Sequence, residues 1–125
     1  MNETAKTERA TLHHLLDAAG TASWNPHPRF AGVAMKTLVA GADTGGALSQ
    51  HLVRVDPGCA LDWHEHPTQC ELHLVLDGDA QATIGEQETA YIPATQRTIP
   101  LGVRHCVRAG DRGITLLASF SPSLG

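Results

Sequence analysis

A group of potential metal ligands lies in the middle of this chain. His64 and His66 are separated by one residue, Glu71 follows, and His105 comes later, just after the turn sequence Pro-Leu-Gly. Three neutral imidazoles and a carboxylate suit one divalent transition metal such as Fe, Mn, Ni, Co or Zn, whereas Ca²⁺ and Mg²⁺ prefer mainly oxygen ligands. We therefore predict a metal site made by these four side chains. The ligand types do not choose among the five metals.

Strand geometry predicts how these ligands meet. Because side chains alternate along a strand, His64 and His66 would point to one face of a strand that ends at His66. Glu71 opens an apolar strand, where a carboxylate is costly to bury unless it is paired or bound to metal. His73 shares the inward face with Glu71, one pleat deeper. It is our candidate catalytic residue, to move a proton or orient Glu71; a structural histidine bonded to a neighbour is the alternative.

The sequence predicts that the elements that position these residues are short strands separated by Gly, Pro and Asp. Such spacing, with no helical pattern after residue 20, favours an all-β sandwich or closed barrel. The strand beginning at Glu71 is predicted to end in the turn Asp77-Gly78-Asp79. The predicted strands are 33–40, 47–55, 60–66, 71–76, 80–84, 89–92, 105–108 and 114–120.

A short amphipathic helix is predicted before the barrel, outside the main domain. Its apolar stripe comprises Leu12, Leu15, Leu16 and Ala19. Thr4 or Thr7 would cap its start and Gly20 would end it. His13 and His14 are interpreted as surface residues. We divide the chain into an N-terminal helix and arm, 1–22, and a β-barrel domain, 23–125.

Composition limits the classes of function. The chain has 125 residues, enough for one domain, and a formal net charge of -4 without a cluster of Lys or Arg. Nucleic acid and anionic membranes are therefore poor partner predictions. An N-terminus without an apolar signal segment, and three cysteines without a CxxC pair, favour a cytoplasmic protein.

Two motifs resemble those of the cupins. Gly58-x5-His64-x-His66-x4-Glu71-x6-Gly78 fits the first motif of the conserved-barrel cupins, and Pro100-x-Gly102-x2-His105 fits the core of the second. The resemblance covers about residues 32 to 121. It departs at Ala94, where a glycine is usual, and at Ala109, where asparagine is frequent. It implies a double-stranded β-helix, or jelly-roll barrel, that binds a metal through His64, His66, Glu71 and His105.

The resemblance also implies a class of function. Cupins with three His and one Glu usually leave coordination positions open, which predicts a small metal-dependent enzyme for a small organic molecule: a dioxygenase, isomerase, decarboxylase or lyase. The alternative is a non-catalytic metal- or ligand-sensing module, since Trp24 and residues 32–38 loosely resemble the start of cupin domains in anti-sigma regulators. Small cupins commonly associate, so we also predict a homodimer, with residues 24–30 supplying apolar contacts.

Other residues near the motifs are assigned by strand parity. Cys70, Cys106 and Trp63 should face away from the site, with Trp63 packed on the arm or on a partner subunit. Either Gln50 or His51 should point inward, and the sequence leaves this choice open. Arg97 and Arg104 could pair with an anionic substrate, but exposed arginines are the commoner case.

Overall fold

The computed structural model describes residues 2–125. In that range an α-helix is followed by strands only, apart from a short 3-10 turn at Gly41–Thr44. The helix is α1 (Glu3–Ala18), and the strands are β1 (Asn25–Pro26), β2 (Val33–Val39), β3 (Ser49–Val55), β4 (Ala60–His64), β5 (Cys70–Ile84), β6 (Gln87–Tyr91), β7 (Gln96–Ile99) and β8 (His105–Ser121).

Two long strands, β5 and β8, organise the barrel. They pair antiparallel along most of their length, and the strand order is β1-β2-β3-β8-β5-β6, with β4 also paired to β8 and β7 to β5. The first part of β8 pairs with β4, and its second part pairs with β3. Each long strand therefore bends from one layer of the barrel into the other. The predicted all-β jelly-roll with a short N-terminal helix is confirmed.

The core lies between the two layers and follows the alternation of the strands. Along the second half of β8, Ile114, Leu116, Ala118 and Phe120 are buried on the inward face. Valines of β2, β3 and β5 pack against them. This apolar interior encloses one end of the site, because Phe120 is paired in register with Glu71.

The predicted turn at Asp77-Gly78-Asp79 is wrong, because β5 runs through it. The pairing of β5 with β8 shifts register around Gly78, so the chain bends by bulges and does not reverse. Gly78 has φ +84°, and a Cβ there would collide with the backbone of Gly113. Segments 105–108 and 114–120 likewise join in the single strand β8. Strand β7 was not predicted, because its sequence Gln-Arg-Thr-Ile is too polar to give the apolar pattern of a strand.

The helix α1 begins at Glu3, before either predicted cap, and lies against the barrel. Asn2, not Thr4 or Thr7, is the N-cap, and its side chain accepts a hydrogen bond from the N–H of Ala5. Leu15, predicted in the apolar stripe, is 61% exposed. None of the helices in the described range is long and apolar enough to cross a membrane.

Polar contacts hold α1 on the outer face of the sheet. Arg9 donates from Nε to both carboxylate oxygens of Asp77 at 2.9 Å, and His13 Nε2 lies 2.6 Å from the same carboxylate. Lys36, buried on β2, donates to the carbonyls of Leu16 and Asp17 near the end of the helix. His13 is therefore a docking residue, which corrects its interpretation as a plain surface histidine. The division at residue 22 stays a prediction, since these contacts join both parts.

Candidate metal centre

The four predicted ligands converge at one end of the barrel. One ligand atom from each of His64, His66, Glu71 and His105 lies within 4.8 Å of the other three. His64 is the last residue of β4 and pairs with His105, the first residue of β8; Glu71 is the second residue of β5. The site therefore forms where three strand ends meet.

His66 reaches this group by a different route from the one predicted. Strand β4 ends at His64, and its pairing with β8 shifts register between Leu61 and His64. The simple alternation that placed both histidines on one strand is therefore wrong in detail. The segment after β4 still brings the His66 ring to 5.1 Å from the His64 ring and 5.7 Å from the His105 ring, measured between centroids.

Backbone carbonyls fix the tautomers of two histidines. His64 Nδ1 lies 2.6 Å from the carbonyl oxygen of Asp62, and His105 Nδ1 lies 2.9 Å from that of Val103. A carbonyl oxygen only accepts hydrogen bonds, so each Nδ1 carries the proton. Each Nε2 keeps an unprotonated lone pair, which is the state that binds a metal.

A buried chain of hydrogen bonds orients Glu71. His73 Nε2 donates to Glu71 Oε2 at 2.8 Å, so His73 Nδ1 is the acceptor of the neutral ring. The Tyr91 hydroxyl, 2.9 Å away, donates to that Nδ1. His73 and Tyr91 are each 1% exposed. His73 thus lies one pleat deeper on the inward face, as predicted, but Tyr91 was not singled out from the sequence, which offers no motif for it.

Two atoms at the centre have no hydrogen-bond partner. Among the described residues, Glu71 Oε1 and His105 Nε2 are buried and unpaired. They lie 3.1 Å apart, but both are acceptors when the His105 proton is on Nδ1, so no hydrogen bond joins them. Leaving two such acceptors buried together is costly, and a cation between the side chains satisfies both. The donor set therefore fits a divalent transition ion.

The electrostatics favour the metal-binding protonation states. Burial lowers the pKa of His64 to about 4 and also lowers the pKa of His66, so both rings are neutral near pH 7. Burial alone would raise the pKa of Glu71. The adjacent His73 ring, which donates to Oε2, outweighs burial and holds the pKa of Glu71 below its ordinary value. Neutral imidazoles beside an ionised carboxylate result.

The structure gives the orientation of the residues that strand parity assigned or left open. His51 faces inward, 6% exposed, with hydrogen bonds to Thr37 and Ser49. Trp63 points outward, but the guanidinium groups of Arg104 and Arg108 lie over its ring at 5.3 and 5.8 Å. Arg104 is thus engaged on the outer surface and does not face the metal ligands.

A small cavity opens beside the ligands. It measures about 50 Å³ and has His64, His66 and Glu71 on one wall. His27, which the sequence gave no reason to select, lies at its rim with its ring stacked on Phe30 at 4.7 Å. Three of the four proposed metal ligands therefore line this cavity.

Superposition on solved structures identifies the fold of this barrel. A predicted oxalate decarboxylase from Thermotoga maritima superposes with a TM-score of 0.73 at 17% identity, covering 85% of this chain and 96% of that one. KdgF from Halomonas superposes with a TM-score of 0.70 at 19% identity, covering 80% and 86%. The chain has a cupin fold. A cupin-2 domain protein of Rhodospirillum rubrum agrees, with a TM-score of 0.68 at 24% identity over 81% of this chain and 67% of that one.

Sequence comparison adds less to the cupin assignment. No family model matches the chain. An uncharacterized protein of Bacillus subtilis, YdbB, is 38% identical over 56 residues, which is 44% of this chain and 50% of that protein. The match thus spans about half the length of this curated relative. The superpositions, all under 25% identity, establish the cupin fold and leave the activity to be argued from the site.

Proposed function

We propose that this cupin is a small metal-dependent enzyme that acts on a small organic molecule. The observation that carries the proposal is the pair of buried, unpartnered acceptors, Glu71 Oε1 and His105 Nε2. A barrel that needed no ion would be expected to place a donor or an apolar side chain there. The cavity beside the ligands separates this arrangement from a closed structural metal site.

The residues have distinct roles in this proposal. His64, His66, Glu71 and His105 hold one divalent ion, which supplies Lewis-acid or redox chemistry when bound. His73 keeps Glu71 in place through the hydrogen bond to Oε2. His73 is also the proton-handling residue in this proposal, because its two ring nitrogens bond to Glu71 and to Tyr91.

Metal analysis tests the ligand set. The double substitution His64→Ala and His66→Ala should abolish stoichiometric metal while the circular dichroism of the barrel is retained. The matched control is His13→Ala with His14→Ala, which removes two histidines of α1 and should leave the metal content unchanged. Full metal content in the first variant would place the ion elsewhere and refute the proposal.

Turnover tests the catalytic part. Protein purified from its native host without added metal is analysed for its ion and then assayed with a panel of small carboxylates and diketones, with and without oxygen. Oxygen consumption would indicate a dioxygenase, and conversion without oxygen an isomerase, decarboxylase or lyase. Tight ligand binding with no conversion across the panel would favour the sensing module instead.

Assembly and location complete the proposal. We propose a homodimer, supported by the apolar arm at residues 24–30, and light scattering at micromolar concentration tests it; a monomer would refute it. We propose a cytoplasmic location. Its support is that Cys59, Cys70 and Cys106 are all free thiols in the described part of the chain, as is usual in a reducing compartment. Fractionation of the native host checks it.

A further inference from the structure

The walls of the cavity next to the ligands define what can bind there. Apart from the metal ligands and His27, the lining is apolar and consists of Met35, Val53, Leu61, Phe120 and Leu124. Of the described residues that line the cavity, none is lysine or arginine. A carboxylate or phosphate pushed against these walls would lose its hydration without gaining a partner, which is costly. The part of a bound small molecule that points away from the metal-binding side chains is therefore uncharged.

Charge at the other wall favours a single oxygen-bearing group. A divalent ion held with the Glu71 carboxylate leaves one net positive charge, because imidazole binds a metal as a neutral ligand. One carboxylate, enolate or polarised carbonyl group balances that charge. A second anionic group has no counter-charge within the cavity.

The size of the cavity limits the length of the ligand. Its volume of about 50 Å³ corresponds to roughly three to five water-sized positions, at about 10–15 Å³ each. Phe120, 3% exposed, is one of the lining residues, and its ring contacts the His66 ring edge-on at a centroid distance of 5.0 Å. A sugar-sized molecule does not fit inside, whereas a tail of two to three carbons does.

His27 supplies a hydrogen-bond donor at the rim. The backbone N–H of Arg29 donates to His27 Nδ1 at 3.1 Å, so that nitrogen is unprotonated and the ring proton of neutral His27 is on Nε2. The backbone N–H of His27 donates to the Val33 carbonyl at 2.7 Å, and the ring stacks on Phe30, so the residue is anchored and its Nε2–H is not used in these contacts. Burial and the nearby Arg29 both lower the pKa of His27, which keeps the ring neutral.

We propose that the ligand of this site is a small oxygen chelator with one anionic or carbonyl head and a short uncharged hydrocarbon tail, and that His27 Nε2–H positions one of its oxygens. The inference rests on the proposed metal-dependent function and narrows its substrate class. It separates this chain from cupins whose ligands carry a second carboxylate. His27 is a specificity-determining residue, because it touches the ligand and not the metal.

A matched pair of ligands tests the class. Protein loaded with Mn²⁺ is titrated by calorimetry with 2-hydroxybutanoate and with malate, which differ in having a methyl group or a carboxylate at the far end of the chain. We expect 2-hydroxybutanoate to bind at least about tenfold more tightly, a difference of about 1.4 kcal/mol. Equal binding, or tighter binding of malate, would overturn the inference.

Variants test the walls and the rim separately. Leu124→Lys adds a cation at a half-buried wall position close to the chain end, and should shift the preference towards malate by about tenfold. The control Leu15→Lys places the same charge on an exposed position of α1 and should change neither affinity. His27→Ala should weaken 2-hydroxybutanoate binding, and His27→Gln, which retains an N–H donor, should restore part of it. An unchanged affinity in His27→Ala would overturn the role of His27.

The same titrations distinguish the two proposals. A chain that binds no Mn²⁺ stoichiometrically refutes the proposed function, because the head group then has no anchor. A chain that binds Mn²⁺ but does not discriminate between the two acids keeps the metal function and loses the substrate class. Met35→Lys repeats the wall test from β2 if Leu124→Lys does not fold.

Discussion

At the scale of single residues, the site depends on which nitrogen of each histidine carries its proton. His64 and His105 are fixed by backbone carbonyls, and His73 is fixed between Glu71 and Tyr91. The bonds to the backbone carbonyls hold the His64 and His105 rings so that the unprotonated Nε2 of each belongs to the ligand group. Preorganisation of this kind is what groups behind the metal ligands contribute to metal affinity.

The Tyr91 hydroxyl is the last group in the hydrogen-bonded series that runs from Glu71 through His73. Its removal tests what that series contributes. Tyr91→Phe leaves His73 Nδ1 buried without a donor and frees the ring to rotate away from Glu71 Oε2. We expect metal affinity to fall by about tenfold and the unfolding free energy by about 1–2 kcal/mol. Competition with a chelator measures the first, and urea denaturation the second.

A second buried histidine provides the control for this prediction. Thr37→Val removes a hydroxyl bonded to the Nδ1 of His51, at 3.0 Å, in the same barrel. His51 has no hydrogen bond to Glu71 in the described chain, so stability should fall by a similar amount while metal affinity stays unchanged. If Tyr91→Phe also left metal affinity unchanged, the orienting role of His73 would be wrong.

At the scale of elements, the cupin turn before β7 is retained although its usual glycine is absent. Ala94 has φ +73°, in the left-handed region where a side chain is strained. The turn persists because Ala94 N–H donates to the Val75 carbonyl at 2.9 Å and Thr95 N–H donates to Ile92. The departure from the motif therefore costs energy without changing the backbone.

This strain predicts a stabilising substitution. Ala94→Gly should raise the unfolding free energy by about 0.5–1 kcal/mol, because relief of the left-handed strain exceeds the entropy that glycine adds to the unfolded chain. The control Ala90→Gly, at an exposed position in β6, should lower it by about 0.5–1 kcal/mol. Thermal and urea denaturation measure both. A loss of stability in Ala94→Gly would mean that the turn is not strained.

The contact between α1 and the barrel makes another prediction. Asp77→Asn removes the negative charge that both Arg9 and His13 contact, and Asp77 is 9% exposed. We expect the unfolding free energy to fall by about 1–2 kcal/mol, with faster amide exchange along α1. Glu3→Gln removes only an exposed 3.8 Å pair with Lys6 and should change stability by less than about 0.5 kcal/mol. Unchanged exchange in Asp77→Asn would show that other contacts hold the helix.

At the scale of the whole molecule, the sequence predicted the fold and the ligand group more completely than their surroundings. Spacing of fixed residues placed His64, His66, Glu71 and His105, since each lies within two residues of the end of a strand. Tyr91 and His27 could not be found, because each meets the site through side-chain contacts that no motif or local pattern in the sequence marks. The bulge at Gly78 was mistaken for a turn, since Asp-Gly-Asp has the same local chemistry in both.

Several buried histidines also give the molecule a predictable response to pH. Burial lowers the pKa of His27, His51, His64 and His66 in the folded chain, to about 4 for His64. The unfolded chain, with ordinary pKa values near 6.5, therefore binds more protons below that pH. The contribution of these histidines to the free energy of unfolding is fully present above about pH 6.5. It declines as the pH falls towards the pKa values of the folded chain.

The response can be measured on metal-free protein. Urea denaturation between about pH 7.5 and about pH 4.5 should show a loss of about 1–2 kcal/mol, a figure already discounted for the partial exposure of His64. Below that range, Glu71 and Asp77, whose pKa values are lowered, add to the loss as they protonate. His64→Gln should flatten the profile, whereas His14→Gln, on the exposed face of α1, should leave it unchanged. A profile independent of pH would contradict neutral imidazoles in the folded chain, and with them the protonation states that bind a metal.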